Sequence, residues 1–450
     1  MIGRHRPAAR VVDLRGTIPF DQQYLHSELM NHPRVPQMPT LSAFSRGLTA
    51  EAAFDVLAVA KRLKAAGKDV IELQIGDSPF PSTASALKAG KDAIDAGMTR
   101  YCPSMGLPDF REVIARTVKT EFGIPATAEN VVIAPGAKPF EQLFCEAFLE
   151  PGDAVMVFQP AFPTYEPNIA RRGAVPVYYP LRQEYGFRPS LADVQKFLKL
   201  PRAKAIFLNS PHNPTGGVAT KDDLAAIADM VRGTNVAVFS DEPYCHMVWE
   251  RRHHSILAEP GMMDHVVAAY TFSKSYSMSG WRCGYAVASP AVAELLGKLI
   301  NSTLSCAPPF VQMAGKAALE HDTAERDAVM KKFHAKVKLL VEALQKVEGV
   351  TVLMPAGTFY VFLKVEPICR RLGITSHGLA MFLLEAADDE LGVACLGGEC
   401  FGPAGQGFLR FSCAEPDDRL SRAVTFLADA VTRTERVKTY LAAHPEYRLT

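Results

Sequence analysis

The chain has 450 residues, 48% of them apolar and 22% charged, with a formal net charge of +1. That balance describes a globular protein and gives no electrostatic reason to expect nucleic acid or an anionic membrane as partner. No apolar run approaches the roughly 18 residues that span a bilayer, and the basic start Met1-Ile2-Gly3-Arg4-His5-Arg6 is not followed by a signal-peptide core, so a cytoplasmic location is expected. The length predicts two domains.

Taken in chain order, the first ~48 residues carry prolines at 7, 19, 33, 36 and 39 without any sustained period, and read as an N-terminal arm. Thr49 is then placed to cap a helix running to about Ala66, with Val56, Val59, Ala60 and Leu63 on one face. From about 85 to 315, short apolar strands alternate with helical stretches. The strands are expected at Val131–Ala134, Ala154–Phe158, Ala205–Leu208, Val236–Ser240, Val266–Phe272 and Gly284–Ala288. Near-continuous apolar runs separated by helices predict an α/β fold, with a mostly parallel sheet covered by helices on both faces. Ligands of such sheets gather at the strands' carboxyl ends.

Beyond 315 the pattern changes. A helix containing Val337, Leu340, Val341 and Leu344 stops near Gly349. Strands follow at Thr351–Leu353 and Phe359–Val365, then a helix near 376–390, a strand ending at Leu396 and another at Phe408–Phe411. This reads as a smaller α+β domain formed by 49–84 with 316–450, beside a large domain of 85–315. The nine cysteines, odd in number and without Cys-x-x-Cys spacing, predict reduced core thiols. His253-His254 lies among arginines with no partner at metal spacing, so it reads as a solvated loop, and no metal is expected.

Four short motifs sit at expected strand ends. Gly136-Ala137-Lys138-Pro139 follows a strand and opens a helix, where backbone N–H groups and the helix dipole suit an anion. Asn213, in the rigid turn Asn209–Gly217, presents an amide that suits a phenolate oxygen. Asp241 ends the very apolar Val236–Ser240 strand, where a carboxylate is costly unless paired, and a protonated pyridine nitrogen would pair with it. Tyr244, three residues on, is within reach of the ring's 3-oxygen. Lys274 follows Ser273 and precedes Arg282 by eight positions, the layout of a Schiff-base amine beside a bidentate phosphate clamp. Phe162, in Pro160–Tyr165, offers a face to stack on a ring. Together these residues call for pyridoxal 5′-phosphate, an electron sink that works while its ring nitrogen stays protonated.

Gly136-Ala137-Lys138, Asn213-Pro214-Thr215-Gly216, Asp241-Glu242-Pro243-Tyr244, Ser273-Lys274 and Gly280-Trp281-Arg282-Cys283-Gly284-Tyr285 together resemble the class I/II pyridoxal-phosphate aminotransferases of fold type I, with the look of aspartate and aromatic aminotransferases, from about residue 49 to 435. The resemblance implies that Lys274 holds the cofactor as an internal aldimine and then moves the substrate's proton. It implies that Arg410 grips the substrate α-carboxylate and that Gly76 makes a backbone contact near it. It further implies that Tyr101 reaches the phosphate of a neighbouring subunit, hence a homodimer with composite sites. Asp77-Ser78-Pro79 stands where the family more often has Glu-Pro-Asp, Pro139 where proline is unusual, and Phe162 where larger or polar aromatics are common. These departures touch the substrate side more than the cofactor side.

The function that follows is transfer of an amino group from an L-amino acid to a 2-oxo acid through a pyridoxamine form of the cofactor. The alternative is a different outcome on the same cofactor: elimination or replacement, carbon–carbon bond formation, or oxidation. A regulatory domain of the same type would call for a DNA-binding module, and a Pro-rich stretch of ~48 residues does not suit a helix-turn-helix.

Overall fold

The computed structural model describes residues 39–48 and 51–449. The expected arm therefore lies mostly outside the described residues. Its last part holds a short helix, Ala43–Gly47, capped by the Ser42 hydroxyl, which accepts from the Ser45 N–H at 3.1 Å. Thr49 also lies outside the described residues. The next helix spans Ala52–Ala65 with Glu51 at its N-cap, buries Val56 and Ala60, and leads into β1 (Asp69–Glu72).

The seven-stranded sheet is built from β2 (Val131–Ala134), β3 (Ala154–Gln159), β4 (Val175–Pro180), β5 (Ala203–Asn209), β6 (Ala237–Asp241), β7 (Val266–Thr271) and β8 (Gly284–Val287). Their order is β2-β8-β7-β6-β5-β3-β4, parallel except that β8 runs against both its neighbours. Every residue of β2, β6 and β8 is buried, as continuous apolar runs require when both faces are covered. Side-chain alternation sends Val131 and Ile133 into one core and Val132 and Ala134 into the other. The helices Pro108–Phe122 and Pro309–His321 contribute to the first core, and Lys138–Phe148 and Pro290–Thr303 to the second. The fold is thus α/β with a mostly parallel sheet, as the sequence pattern predicts.

Strand β4 has no counterpart among the expected strands. Pro176 and Pro180 break its pattern, and both are tolerated because β4 is an edge strand paired only with β3 and left half exposed.

A long helix, Thr323–Leu344, precedes β9 (Thr351–Val352), β10 (Tyr360–Lys364), β11 (Leu391–Ala394), β12 (Leu396–Gly397) and β13 (Phe408–Ser412). The order β12-β13-β10-β9 forms an antiparallel sheet, while β1 pairs in parallel with β11. These elements share one apolar core with the helix Ala52–Ala65. The helix expected near 376–390 ends at Glu385, ahead of the acidic turn Asp388-Asp389-Glu390. All nine cysteines are unpaired thiols and six are buried, as predicted. Among the described residues, no helix is long and apolar enough to cross a membrane.

Candidate active site

Asn209, Asp241 and Thr271 end β5, β6 and β7, and all three line a cavity of about 490 Å³, a size typical of small-molecule sites. Gly76, Ala137, Lys138, Phe162, Asn213, Tyr244, Ser273, Lys274, Arg282 and Arg410 line the same cavity. Residues separated by more than 330 positions therefore meet there because the strand ends converge.

Asp241 sits at the floor, 7% exposed, and accepts a hydrogen bond from the Tyr165 hydroxyl at 2.5 Å. Burial is the main force on its carboxyl; the Tyr165 bond opposes it, Glu242 adds to it, and the balance is pushed up to about 6. A cation placed against it would reverse that shift. Glu141, from the first turn of the helix Lys138–Phe148, also lines the cavity while 3% exposed. It accepts from the Thr164 hydroxyl at 2.5 Å, and burial together with the Asp241 charge pushes it up to about 8.

The Lys274 Nζ donates to the Gly76 carbonyl at 2.5 Å and stands 5.8 Å from the centre of the Tyr244 ring. Tyr244 meets Tyr360 hydroxyl to hydroxyl at 3.1 Å, and burial followed by the Tyr360 contact raises its phenol well above the ordinary value. A Cβ on Gly76 would fall 1.6 Å from the Tyr360 hydroxyl, so only glycine brings this backbone so near the lysine.

Arg282 donates through Nη2 to the Pro135 carbonyl at 3.0 Å and through Nη1 to the Ser279 carbonyl at 2.9 Å, with the Ser273 hydroxyl at 3.5 Å. Gly136 has φ +90°, and a Cβ there would lie 2.4 Å from the Arg282 guanidinium, so the turn admits the arginine only because it lacks a side chain. One expectation needs correcting here. The Gly136 N–H is bonded to the Ala134 carbonyl at 2.7 Å, because the turn after β2 is too tight to leave it for an anion. The helix-start N–H groups of Ala137 and Lys138 are the ones suited to that task.

Arg410, on β13 and 4% exposed, donates to Asn213 Oδ1 at 2.9 Å and to the Gln74 carbonyl at 2.5 Å. Its guanidinium lies over the rings of Tyr360 and Phe401, at 4.2 and 5.0 Å, and its Nε is buried without a hydrogen-bond partner. Asn213 Oδ1 is taken by Arg410, so its amide nitrogen is the end that can donate to a ligand.

Tyr101 is 87% exposed and outside the cavity. His253, expected in a solvated loop, is instead buried, and its Nε2 lies 2.6 Å from Glu242 Oε2, while the Ser240 and Ser255 hydroxyls donate to Glu242 Oε1. A buried carboxylate beside Asp241 needed partners, and the chain brings one from eleven residues away. Sequence reasoning missed Tyr165, Glu141, Glu51 and Tyr360. The fixed spacing of Tyr165 from Phe162 was the one available signal; the others become visible only when distant segments meet.

The residues fit pyridoxal 5′-phosphate. Asp241 would hold the ring nitrogen's proton, Lys274 the aldehyde carbon, and Asn213 and Tyr244 the phenolate oxygen, while Phe162 would cover a ring face. Arg282, Ser273 and the helix start at Ala137 and Lys138 would hold the phosphate. The unpartnered Nε of Arg410 leaves a guanidinium edge for a substrate carboxylate.

Comparison with known proteins agrees with this geometry. Residues 68–427 match the family described as aminotransferase class I and II. The chain is 33% identical over 367 residues to an aspartate aminotransferase of Pyrococcus horikoshii, covering 81% of this chain and 91% of the relative. It is 32% identical to an arginine–pyruvate transaminase of Pseudomonas aeruginosa, covering 80% and 91%. Among solved structures, aspartate aminotransferase from Thermus thermophilus with maleate superposes with a TM-score of 0.81 at 30% identity, over 87% of this chain and all of that one. With the cavity's donor set and these likenesses together, the chain belongs to the class I and II aminotransferases, which are pyridoxal-phosphate enzymes.

Proposed function

We propose that the cavity transfers an amino group from an L-amino acid to a 2-oxo acid with Lys274 as the proton-moving base, Asp241 as guardian of the ring-nitrogen proton and Arg410 as the carboxylate anchor. The observation that carries this reading is the meeting of Lys274, Asp241, Arg282 and Arg410 in one cavity at the strand ends. Bound cofactor supplies a ring that accepts negative charge from the substrate's Cα.

The chain does the rest. Lys274 Nζ, held at the Gly76 carbonyl, is close to where Cα must lie and carries its proton away. Asp241 opposes loss of the ring proton through a charge-assisted bond. Arg410, braced by Asn213 and Gln74, fixes the α-carboxylate and with it the direction of the Cα–H bond. Tyr244 and Asn213 hold the ring oxygen. Transfer is favoured over elimination or oxidation by the names of the relatives, aspartate aminotransferase and arginine–pyruvate transaminase among them.

The rest of the proposal concerns assembly. The exposed Tyr101 supports a homodimer in which it reaches the partner's phosphate site. Two domains, 49–84 with 316–450 and 85–315, are supported by their separate sheets. A cytoplasmic location completes the reading. The test is Lys274→Ala: turnover should fall at least a thousandfold, on the scale of lost general-base catalysis, while cofactor phosphate binding persists. Retained turnover would contradict the assignment.

A further inference from the structure

Among the described residues, four cations line the cavity: Lys138, Lys274, Arg282 and Arg410. Three of them have tasks with the cofactor or the α-carboxylate, which leaves the Lys138 ammonium as the one lining cation among the described residues that could meet a charged substrate side chain. With the α-carboxylate at Arg410 and Cα at Lys274, the lining left to form a wall for a substrate's side chain includes Glu51, Phe54, Ile75 and Lys138.

On that wall Lys138 is not free to act as a positive pole. It forms an ion pair with Glu51, the N-cap of the helix Ala52–Ala65, and sits 5.2 Å from the centre of the Phe162 ring. Glu141 and Asp77 are further acids of the same lining. With Glu51 paired to it, the Lys138 ammonium presents no unopposed positive charge to a ligand. A second substrate carboxylate arriving there would have to compete with Glu51 for Lys138. Phe54 and Ile75 meanwhile offer apolar surface. An attractive group masked by a like-charged competitor is a repulsive specificity element.

We infer that Glu51, by masking Lys138, makes this enzyme select L-amino acids with uncharged side chains and disfavour the second carboxylate of aspartate or glutamate. The inference rests on the aminotransferase reading of the cavity and names its substrate class.

The test uses the cofactor-loaded enzyme with L-alanine, L-leucine, L-phenylalanine, L-aspartate and L-glutamate. The wild type should show higher kcat/KM for the uncharged amino acids. Glu51→Gln should raise the aspartate-to-phenylalanine ratio about tenfold, equivalent to about 1.4 kcal/mol. Lys138→Met in the Glu51→Gln background should cancel that gain, since the two residues act as a pair. A binding measurement accompanies the kinetics: calorimetric titration with maleate and with 3-phenylpropionate, where Glu51→Gln should tighten maleate relative to 3-phenylpropionate. A wild type that prefers dicarboxylates, a ratio unmoved by Glu51→Gln, or a gain that survives loss of Lys138 would each overturn the inference. If no amino acid is turned over, the functional reading fails instead, and the maleate titration still reports whether Glu51 masks Lys138.

Discussion

Tyr165 donates to Asp241 across 2.5 Å and so ties the helix Tyr165–Arg171 to the end of β6, directly beneath the cavity. The bond works against burial, which otherwise favours the neutral carboxyl. Tyr165→Phe removes it with little change in shape. Cofactor affinity should then drop by about tenfold, the low end of a hydrogen bond to a charged group. Titration of the cofactor-free protein with pyridoxal 5′-phosphate measures this, and an unchanged affinity would reduce Tyr165 to a packing role.

Glu141 gives the cofactor-free protein a pH signature. Burial, helped by Asp241, raises its carboxyl from 4.5 to about 8 in the folded state. Between those values the native state holds a proton that the unfolded chain has already released, so stability falls as pH rises through the window. Asp241, raised from 3.8 to about 6, adds the same sign at the acid end. Glu141→Gln should flatten the decline of Tm between pH 5 and pH 8. Parallel wild-type and variant curves would contradict the argument.

Behind the Lys274 loop lies a second charged cluster. Glu121 pairs with Arg326 Nη1 at 2.8 Å and with His246 Nε2 at 2.7 Å, and His246 Nδ1 meets the Ser275 hydroxyl at 2.9 Å. Burial pushes the Glu121 carboxyl up, but the bonds and charges of His246 and Arg326 together overcome it and hold it at about 2. Its contribution is present above pH 4.5 and is lost as pH falls toward 2. Glu121→Gln removes one of the two carboxylates paired with the buried Arg326 guanidinium, Asp327 at 2.9 Å being the other, and should cost about 2 kcal/mol, read by urea unfolding. A loss below about 1 kcal/mol, the scale of a surface pair, would show the cluster to be screened.

Much of this architecture was legible beforehand, for physical reasons. Strands such as Val131–Ala134 are buried on both faces and so are spelled as unbroken apolar runs, and Asp241 and Lys274 announce themselves as polar residues where such runs end. Arg410 was legible only through resemblance, since an arginine in a short motif carries no spacing signal of its own. The edge strand β4 was hidden by its prolines. Contacts such as Glu51 with Lys138 or Glu242 with His253 were hidden because they are made across folded space, where local periodicity carries no information. The bond of the Gly136 N–H is not legible in the sequence, because a glycine turn tight enough to admit Arg282 also closes on the Ala134 carbonyl.

The central claim is amino transfer at Lys274, and the most direct measurement is an absorbance scan of the cofactor-loaded enzyme before and after each of a panel of L-amino acids, with assay of the 2-oxo acid formed. The account predicts that at least one amino acid bleaches the visible band of the Lys274-bound cofactor to the pyridoxamine form, with one equivalent of the matching 2-oxo acid. A band that no amino acid changes, or one that changes without 2-oxo acid appearing, would contradict it.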